Sequence, residues 1–373
     1  MKILSVLGTR PEAIKLAPVI SALQQKTGVT SLVCVTSQHQ ELLQQMLTLF
    51  AIQPDYDFEL MRKNQDLLDF SSRALERFRA LLDEINPDCM VVQGDTTTAF
   101  IAALAASYRK IPVAHVEAGL RSFDKNNPFP EEINRLLIDH VARWCFAPTD
   151  LAKTNLLKEG IHKEKIYVTG NTVVDALFQI RKKMQNDGSM TRLHAIFEEK
   201  YGLNIGQDKP LILVTTHRRE SFGKDLESTC HALLAIAQQI PKAKLILPVH
   251  PNPNVSGPIA KLLSRCSQII LSKPLDYDAF LFLLMHSDLV LTDSGGVQEE
   301  APSFGVPVVV MRKTTERQEL ITSGFGEKVG TNTDAIVSAA LRLLQKKPSL
   351  AGKTNPFGDG QAAQRIVQVL LNE

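Results

Sequence analysis

Short apolar runs alternate with segments of helical apolar spacing along most of the chain. Apolar runs without polar alternation are typical of strands that are buried on both faces of a parallel sheet. Because such strands alternate here with helices, the pattern predicts an α/β fold. The predicted strands comprise residues 3–7, 32–36, 89–92, 113–116, 211–215, 244–249, 269–271, 289–291 and 306–311.

The series of strands is interrupted over residues 181–210, which are charged, weakly patterned and contain an Asp187-Gly188 turn signal. A chain of 373 residues is also longer than one typical core supports. We therefore expect two Rossmann-like, doubly wound domains that face each other across a cleft. The expected domains are residues 1–171 and 172–357, with a C-terminal helix in 358–373 that packs back on the first domain.

Composition narrows the class of protein. Hydrophobic residues make up 44% and charged residues 22% of the chain, which is typical of a globular protein. A net charge of +2 without any Lys/Arg run argues against a nucleic-acid surface. Five scattered cysteines without a CxxC pair indicate a reducing compartment and no zinc site. No apolar run approaches the ~18 residues of a membrane span, so we expect a cytoplasmic protein.

Polar clusters follow almost every predicted strand, at the point where the strand ends. The carboxyl ends of parallel strands line the ligand crevice of open α/β sheets. Both halves carry such clusters, which predicts a ligand held between them and closure of the domains around it. The clusters are Arg10, Asp95, Glu117, His217-Arg218-Arg219-Glu220, His250-Pro251-Asn252 and Asp293-Ser294-Gly295-Gly296.

One segment, residues 289–319, indicates a phosphate site. Its strand passes into a helix through Ser294-Gly295-Gly296, which leaves main-chain N–H groups at a positive helix end. The alternative is a tight turn that needs glycine only for its backbone angles. Glu299 and Glu300 in the helix, and Arg312 and Arg317 after the next strand, favour the phosphate site. Pro302 is awkward for a regular helix, so the helix register is uncertain beyond it.

Each polar residue of the first half has a structural alternative. Arg10 and Lys15 either bind an anion or form a solvated pair. Asp95 is either functional or the N-cap of the helix that follows, whereas Glu117 is harder to explain as structural. Glu131 and its neighbour Glu132 could simply complement a helix dipole.

The histidines divide into two groups. His217 lies among arginines and an acidic residue, which indicates an anion site, because buried like charges repel one another unless a ligand or a carboxylate compensates them. His115, His140 and His231 are interpreted as structural.

Several motifs that mark other classes of enzyme and binding site do not occur in the chain. It has no GxGxxG after the first strand, no P-loop, no HExxH, no aspartate pair spaced for Mg²⁺ and no GxSxG. Several carboxylates, one histidine and a set of arginines remain around a phosphate site. This inventory suits proton abstraction and leaving-group departure on a phosphorylated or nucleotide-linked substrate.

Seven motifs resemble those of the non-hydrolysing bacterial UDP-N-acetylglucosamine 2-epimerases, in the same order, from residue 3 to about residue 360. The motifs are Gly8-Thr9-Arg10-Pro11-Glu12-Ala13-Ile14-Lys15, Gly94-Asp95-Thr96-Thr97-Thr98, His115-Val116-Glu117-Ala118-Gly119-Leu120-Arg121, Pro130-Glu131-Glu132-Ile133-Asn134-Arg135, Gly170-Asn171-Thr172-Val173-Val174-Asp175, His217-Arg218-Arg219-Glu220 and Thr292-Asp293-Ser294-Gly295-Gly296-Val297-Gln298-Glu299-Glu300-Ala301-Pro302.

The resemblance implies a glycosyltransferase-B type fold, a homodimer, and interconversion of UDP-N-acetylglucosamine and UDP-N-acetylmannosamine without a metal or nicotinamide cofactor. The product would supply N-acetylmannosamine units for cell-surface polysaccharide. A retaining UDP-sugar glycosyltransferase of the same fold is the alternative, although it leaves Glu117 and Glu131 unexplained. A non-catalytic nucleotide-sugar sensor is disfavoured by the number of acid–base groups.

The resemblance also implies residue roles. Asp95, Glu117 and Glu131 would transfer protons, and His217 would stabilise the departing diphosphate. Substrate binding would involve Arg10, Lys15, Arg135, Leu275, Phe280, Ser294, Gly295, Gly296, Glu300 and Arg317. Among these, the loop Ser294-Gly295-Gly296 would hold the diphosphate, Glu300 the ribose, and Phe280 the uracil, although Phe280 also fits a core helix.

A second nucleotide-sugar site of some relatives is only partly matched. Gln38, His39, Arg218 and His250 resemble its residues. Glu41 and Asn64 stand where glutamine and arginine are expected in some relatives. Sigmoidal kinetics would indicate that allosteric activation is retained.

Overall fold

A computed structural model describes residues 1–36, 40–62, 66–216, 223–350 and 352–372. The chain divides into two compact units. The first comprises Met1–Ala176 with Phe357–Glu373, and the second comprises Leu177–Pro356. The domain boundary expected from the sequence, residue 171, precedes this division by a few residues.

Strands and helices alternate through both units. The strands are β1 (Lys2–Leu7), β2 (Thr30–Val35), β3 (Tyr56–Asp57), β4 (Cys89–Gln93), β5 (Val113–Val116), β6 (Trp144–Ala147), β7 (Ile166–Val168), β8 (Leu211–Thr215), β9 (Lys244–Pro248), β10 (Ile269–Ser272), β11 (Leu289–Thr292), β12 (Val308–Val310) and β13 (Gly326–Lys328).

Most helices lie between the strands, and the described residues also form short 3-10 turns. The helices are α1 (Arg10–Gln24), α2 (Gln40–Leu49), α3 (Leu67–Ile85), α4 (Thr97–Tyr108), α5 (Glu131–Val141), α6 (Asp150–Lys158), α7 (Thr172–Asn186), α8 (Ser189–Tyr201), α9 (Lys224–Gln239), α10 (Pro253–Leu263), α11 (Tyr277–His286), α12 (Gly295–Glu300), α13 (Gln318–Thr322), α14 (Thr333–Lys346) and α15 (Ala362–Asn372). The 3-10 turns are Lys163–Lys165, Ala301–Phe304 and Lys347–Leu350.

Each unit contains one parallel sheet. Among the described residues the first sheet has the order β3-β2-β1-β4-β5-β6-β7 and the second β10-β9-β8-β11-β12-β13. In both sheets the strand order reverses beside the first strand, between β1 and β4 and between β8 and β11. Ligands of open α/β sheets bind at such a reversal, outside the carboxyl ends of the strands.

Apolar strands and small helical side chains form the core of the first unit. Leu4, Val6 and Met90 of the central strands are fully buried and belong to one cluster with Ala102 of α4 and Phe78 of α3. The alanine-rich face of α4 lets this helix approach the sheet closely. Helix α15 packs against α1, so the C-terminal segment belongs to the first unit.

The predicted α/β fold with two Rossmann-like sheets is confirmed, and every predicted strand is present. Some predicted boundaries are wrong: β2 begins at Thr30 rather than at residue 32, and β12 begins at Val308 rather than at residue 306. The intervening Pro307 has no N–H for the ladder. The doubtful helix register is resolved: α12 ends at Glu300, and Pro302 lies in the 3-10 turn that follows.

Two further observations concern the predicted compartment and the cysteines. All five cysteines are free thiols. Within the described ranges, no helix combines the length and apolar composition needed to cross a lipid bilayer.

Candidate active site

Glu117 occupies a strained position directly after β5. Its φ is 70°, in the left-handed region that non-glycine residues rarely adopt. Its Oε1 contacts the Lys15 ammonium group and accepts a hydrogen bond from Asn171 Nδ2 at 3.0 Å, while its Oε2 contacts Gln93 Nε2. Strained backbone of this kind clusters at functional sites. The buried carboxylate is therefore fixed by three donors, one of them a compensating cation.

Lys15 is buried in α1, so its charge needs a partner. The structure provides Glu117, a pairing that the sequence did not predict. Arg10 is half-buried at the first position of α1. The expected role of both cations in phosphate binding stays a prediction.

Asp95 follows β4 and lies against α5. Its carboxylate contacts Arg135, and its main-chain carbonyl accepts a hydrogen bond from Asn134 Nδ2 at 2.9 Å. The N-cap of α4 is Thr96, whose hydroxyl accepts from Ala99 N at 3.0 Å. The capping alternative for Asp95 is therefore wrong, and its carboxylate remains 29% exposed.

Glu131 and Glu132 open α5 but differ in their partners. Glu132 is buried and accepts hydrogen bonds from the N–H groups of Ser122 and Phe123, both at 3.0 Å. Glu131 Oε2 is also buried, yet it has no hydrogen-bond partner among the described residues. A structural role thus suits Glu132, whereas the Glu131 carboxylate can still accept a proton.

Glu12 joins the first turns of α1 and α4. It accepts hydrogen bonds from Gly8 N at 3.0 Å, from the Thr9 hydroxyl at 2.7 Å and from the Thr96 hydroxyl at 2.6 Å. Burial raises the pKa of Glu12 to about 7, although these hydrogen bonds act in the opposite direction. In the same unit, burial raises the pKa of Asp175 to about 6, despite hydrogen bonds from the N–H groups of Ala362 and Ala363.

These shifts predict that stability falls as pH rises through the mildly acidic range. Each carboxyl group binds its proton more tightly in the folded than in the unfolded chain, from about pH 4.5 to about pH 7 for Glu12. Because Glu12→Gln cannot titrate, it should flatten the pH dependence of the free energy of unfolding by about 3 kcal/mol over that window. Urea unfolding at several pH values measures the slope, and Glu76→Gln, an exposed site on α3, should leave it unchanged. An unaltered slope in Glu12→Gln would refute the assignment.

Helix α12 begins with two glycines, and the second of them has open space where a side chain would lie. A Cβ atom on Gly295 would lie 2.9 Å from Arg317 Cζ, so the guanidinium group packs directly over this glycine. A Cβ atom on Gly296 would meet no described atom within 4 Å. Ser294 N donates to Thr292 Oγ1 at 2.9 Å, so this main-chain N–H group already has an acceptor within the protein.

Arg317 is held in place by acidic neighbours. Its Nε donates to Glu299 at 2.9 Å, and its Nη1 lies 3.1 Å from Glu316. Two carboxylates therefore compensate the positive charge and orient the guanidinium group over Gly295. The expected contact of Arg317 with a phosphate is not tested by this geometry.

Glu300 is buried and paired with a residue that the sequence did not single out. The Tyr277 hydroxyl donates to Glu300 Oε1 at 2.7 Å. A carboxylate oxygen has two lone pairs, so this contact fixes Glu300 and still allows it to accept ligand hydroxyls. Tyr277 lies in the apolar sequence of α11, where its hydroxyl gave no separate signal.

For the remaining candidate residues the structure gives mainly their position and burial. Leu275 lies half-buried between β10 and α11, and Phe280 is half-buried on α11, beside the fully buried Phe282. His250 is exposed after β9, and its Nδ1 accepts from Asn252 N at 3.1 Å. Four candidates lie outside the described residues, namely Gln38, His39, His217 and Arg218.

In the part of the chain that the structure describes, no group of three or more His, Cys, Asp and Glu side chains is arranged to hold a metal ion.

The chain is similar in sequence to known enzymes over its whole length. The family model for UDP-N-acetylglucosamine 2-epimerase matches residues 21–371. The UDP-N-acetylglucosamine 2-epimerase of Yersinia pestis is 50% identical over 100% of this chain and 99% of its own. That of Salmonella typhimurium is 48% identical over 99% of this chain and 98% of its own.

A solved structure extends the similarity to three dimensions. The UDP-GlcNAc 2-epimerase from Neisseria meningitidis bound to UDP-GlcNAc has a TM-score of 0.93 and 43% identity, covering 100% of both chains. Identity at this level over the full length, together with the family model, is sufficient to assign the family. The chain belongs to the UDP-N-acetylglucosamine 2-epimerase family.

Proposed function

We propose that this protein interconverts UDP-N-acetylglucosamine and UDP-N-acetylmannosamine by inverting C2 of the sugar. The observation that carries the proposal is the set of carboxylates at one sheet edge, Asp95, Glu117 and Glu131, in a member of this family. Two of them are paired with buried cations, and the third has a carboxylate oxygen without a partner among the described residues.

The weak acidity of the C2 proton dictates the order of steps. A carboxylate takes this proton, the electrons of the C2–H bond form the C1–C2 double bond, and the C1–O bond breaks so that UDP leaves. The intermediate is a 2-acetamidoglycal with free UDP. A UDP phosphate oxygen then adds back to C1, while a proton is delivered to the opposite face of C2.

The first unit would supply the proton transfer. Glu131 is favoured as the group that takes the proton, because its Oε2 has no donor among the described residues. Glu117 is held in place by Lys15, Gln93 and Asn171. A carboxylate fixed in this way would deliver or share a proton in one geometry only. His217 would stabilise the departing diphosphate.

The second unit would bind the UDP. The diphosphate would occupy the space over Gly296, next to the Ser294 hydroxyl and Arg317. Glu300, oriented by Tyr277, would accept the ribose hydroxyls. Phe280 and the main chain at Leu275 would contact the uracil.

The open space over Gly296 makes a sharp prediction. Gly296→Ala adds a methyl group that touches no described protein atom, so the thermal unfolding midpoint should not fall. The methyl group would occupy the diphosphate position, and UDP binding should weaken about 10-fold. Isothermal titration with UDP measures this change.

Gly257→Ala is the matched control, since a Cβ atom there also meets no described atom within 4 Å and the residue lies on α10. It should retain full UDP affinity. If Gly296→Ala also binds UDP as tightly as the wild type, the diphosphate does not occupy this position.

The proposed activity is tested with purified protein and UDP-N-acetylglucosamine in the absence of any sugar acceptor. Formation of UDP-N-acetylmannosamine to a constant ratio is expected. A transferase would form no such product, and turnover that requires an added acceptor would refute the proposal. The protein would be a cytoplasmic homodimer, whose mass light scattering measures, and its product would supply N-acetylmannosamine units for cell-surface polysaccharide.

A further inference from the structure

A charge network that is buried except at Glu159 joins β5, α5 and the loop after β5 in the first unit. His115 of β5 and Asp139 of α5 are completely buried, and His115 Nδ1 lies 2.6 Å from Asp139 Oδ1. Asp139 Oδ2 accepts from Arg121 Nη2 at 2.6 Å and from Gly119 N at 3.2 Å. Arg121 also pairs with Glu159 at 2.5 Å. The network contains more charge than an ordinary core, and the reaction scheme above does not use it.

The hydrogen bonds determine the protonation state of His115. Its Nε2 lies 2.7 Å from the main-chain oxygen of Gly94, which can only accept. Its Nδ1 faces Asp139 Oδ1, and the other oxygen of this carboxylate accepts from Arg121 Nη2 and from Gly119 N. Both ring nitrogens therefore face acceptors, and both must carry hydrogens. The positive charges of His115 and Arg121 then balance the negative charges of Asp139 and Glu159.

The network joins the three segments that carry the candidate carboxylates. Gly94 directly precedes Asp95, and Gly119 follows Glu117 on the same loop. Asp139 lies on α5, the helix that begins with Glu131. A single carboxylate, Asp139, is thus linked to the Gly94 loop through His115, to the Gly119 loop directly, and to Glu131 through its own helix.

We propose that His115 is a positioning residue of the epimerase reaction: as an imidazolium ion it ties the Gly94 carbonyl to α5 and so fixes Asp95, Glu117 and Glu131 relative to one another. The inference rests on the proposed function for the roles of these carboxylates. Proton transfer to and from carbon depends steeply on the placement of the acid and the base, whereas UDP binding by the second unit does not depend on this network.

The first test is His115→Gln. Glutamine carries an NH₂ group and a carbonyl oxygen at its end, so it cannot donate to both acceptors along the imidazole directions. The value of kcat, and the rate at which the C2 hydrogen exchanges with solvent, should fall about 100-fold, as expected for small misplacements of catalytic groups. The Kd for UDP should stay that of the wild type.

His140→Gln is the matched control, because His140 is exposed on the same helix as Asp139. It should retain the wild-type kcat. An undiminished kcat in His115→Gln would overturn the proposal, and so would a loss of kcat accompanied by an equal loss of UDP affinity, which would indicate general damage to the protein.

The second test uses the wild-type protein and therefore does not depend on the folding of a variant. ¹⁵N nuclear magnetic resonance of the wild-type protein, with His115 assigned through the backbone, should show hydrogens on both ring nitrogens under the conditions of the turnover assay. A bare ring nitrogen would overturn the proposal. If the wild type shows no epimerase activity, the proposed function fails, whereas this spectrum still decides the state of His115.

Discussion

Asp95→Asn is expected to lower kcat by about 1,000-fold, within the range that general acid–base catalysis contributes, and to leave UDP affinity nearly unchanged. Asparagine has the shape of aspartate and keeps an oxygen for Arg135, so the loop after β4 should stay in place. What is lost is the carboxylate that exchanges a proton. Steady-state kinetics in both directions, together with UDP titration, separate the two effects.

Asp83→Asn provides the control for this substitution. Asp83 forms an exposed ion pair with Arg109 on the same unit, and such pairs contribute little to stability. Its kcat should equal that of the wild type. A variant Asp95→Asn with full turnover would remove Asp95 from the set of proton-transfer groups, whatever the roles of Glu117 and Glu131.

Glu300→Ala is expected to weaken UDP and UDP-sugar binding by about 100-fold, because hydrogen bonds to a charged acceptor contribute about 1.5–3 kcal/mol each. The rise should appear in KM and in the Kd for UDP, with a smaller change in kcat, since the carboxylates that act on C2 belong to the first unit. Calorimetry with UDP and with UDP-N-acetylglucosamine measures both affinities.

Tyr277→Phe refines this prediction. It removes only the hydroxyl that orients Glu300, so UDP affinity should fall by about 10-fold, less than in Glu300→Ala. Glu327→Ala breaks ion pairs with Arg342 and Lys346 in the same unit and should leave UDP affinity unchanged. If Glu300→Ala weakens kcat alone, the ribose assignment is wrong.

The positions of strands and of polar groups at their ends could be predicted from the sequence, because buried parallel strands are continuous apolar runs. Three of the four strands that escaped prediction, β3, β7 and β13, are short strands at the edge of a sheet. β3 has two residues, and β13 (Gly-Glu-Lys) has no apolar run, so it is defined only by its pairing with β12. Such strands are set by tertiary pairing rather than by local preference.

The partners of the candidate residues were largely beyond sequence reasoning. Gln93, Asn171 and Tyr277 each orient a carboxylate that is distant in sequence, and even the motif around Asn171 does not indicate which carboxylate it contacts. His115 was interpreted as structural because a lone histidine in an apolar strand carries no sign of its neighbours. Its contacts with Gly94 and Asp139 give it a place in the site that only the fold reveals.

The central claim is that C2 loses its hydrogen in every productive turnover. It is tested by incubating the protein with UDP-N-acetylglucosamine that carries deuterium at C2 in ordinary water, and by following the label in both sugars with mass spectrometry. Elimination and re-addition predict that the label is lost to solvent as UDP-N-acetylmannosamine forms. A manno product that retains its deuterium at C2 would contradict the account.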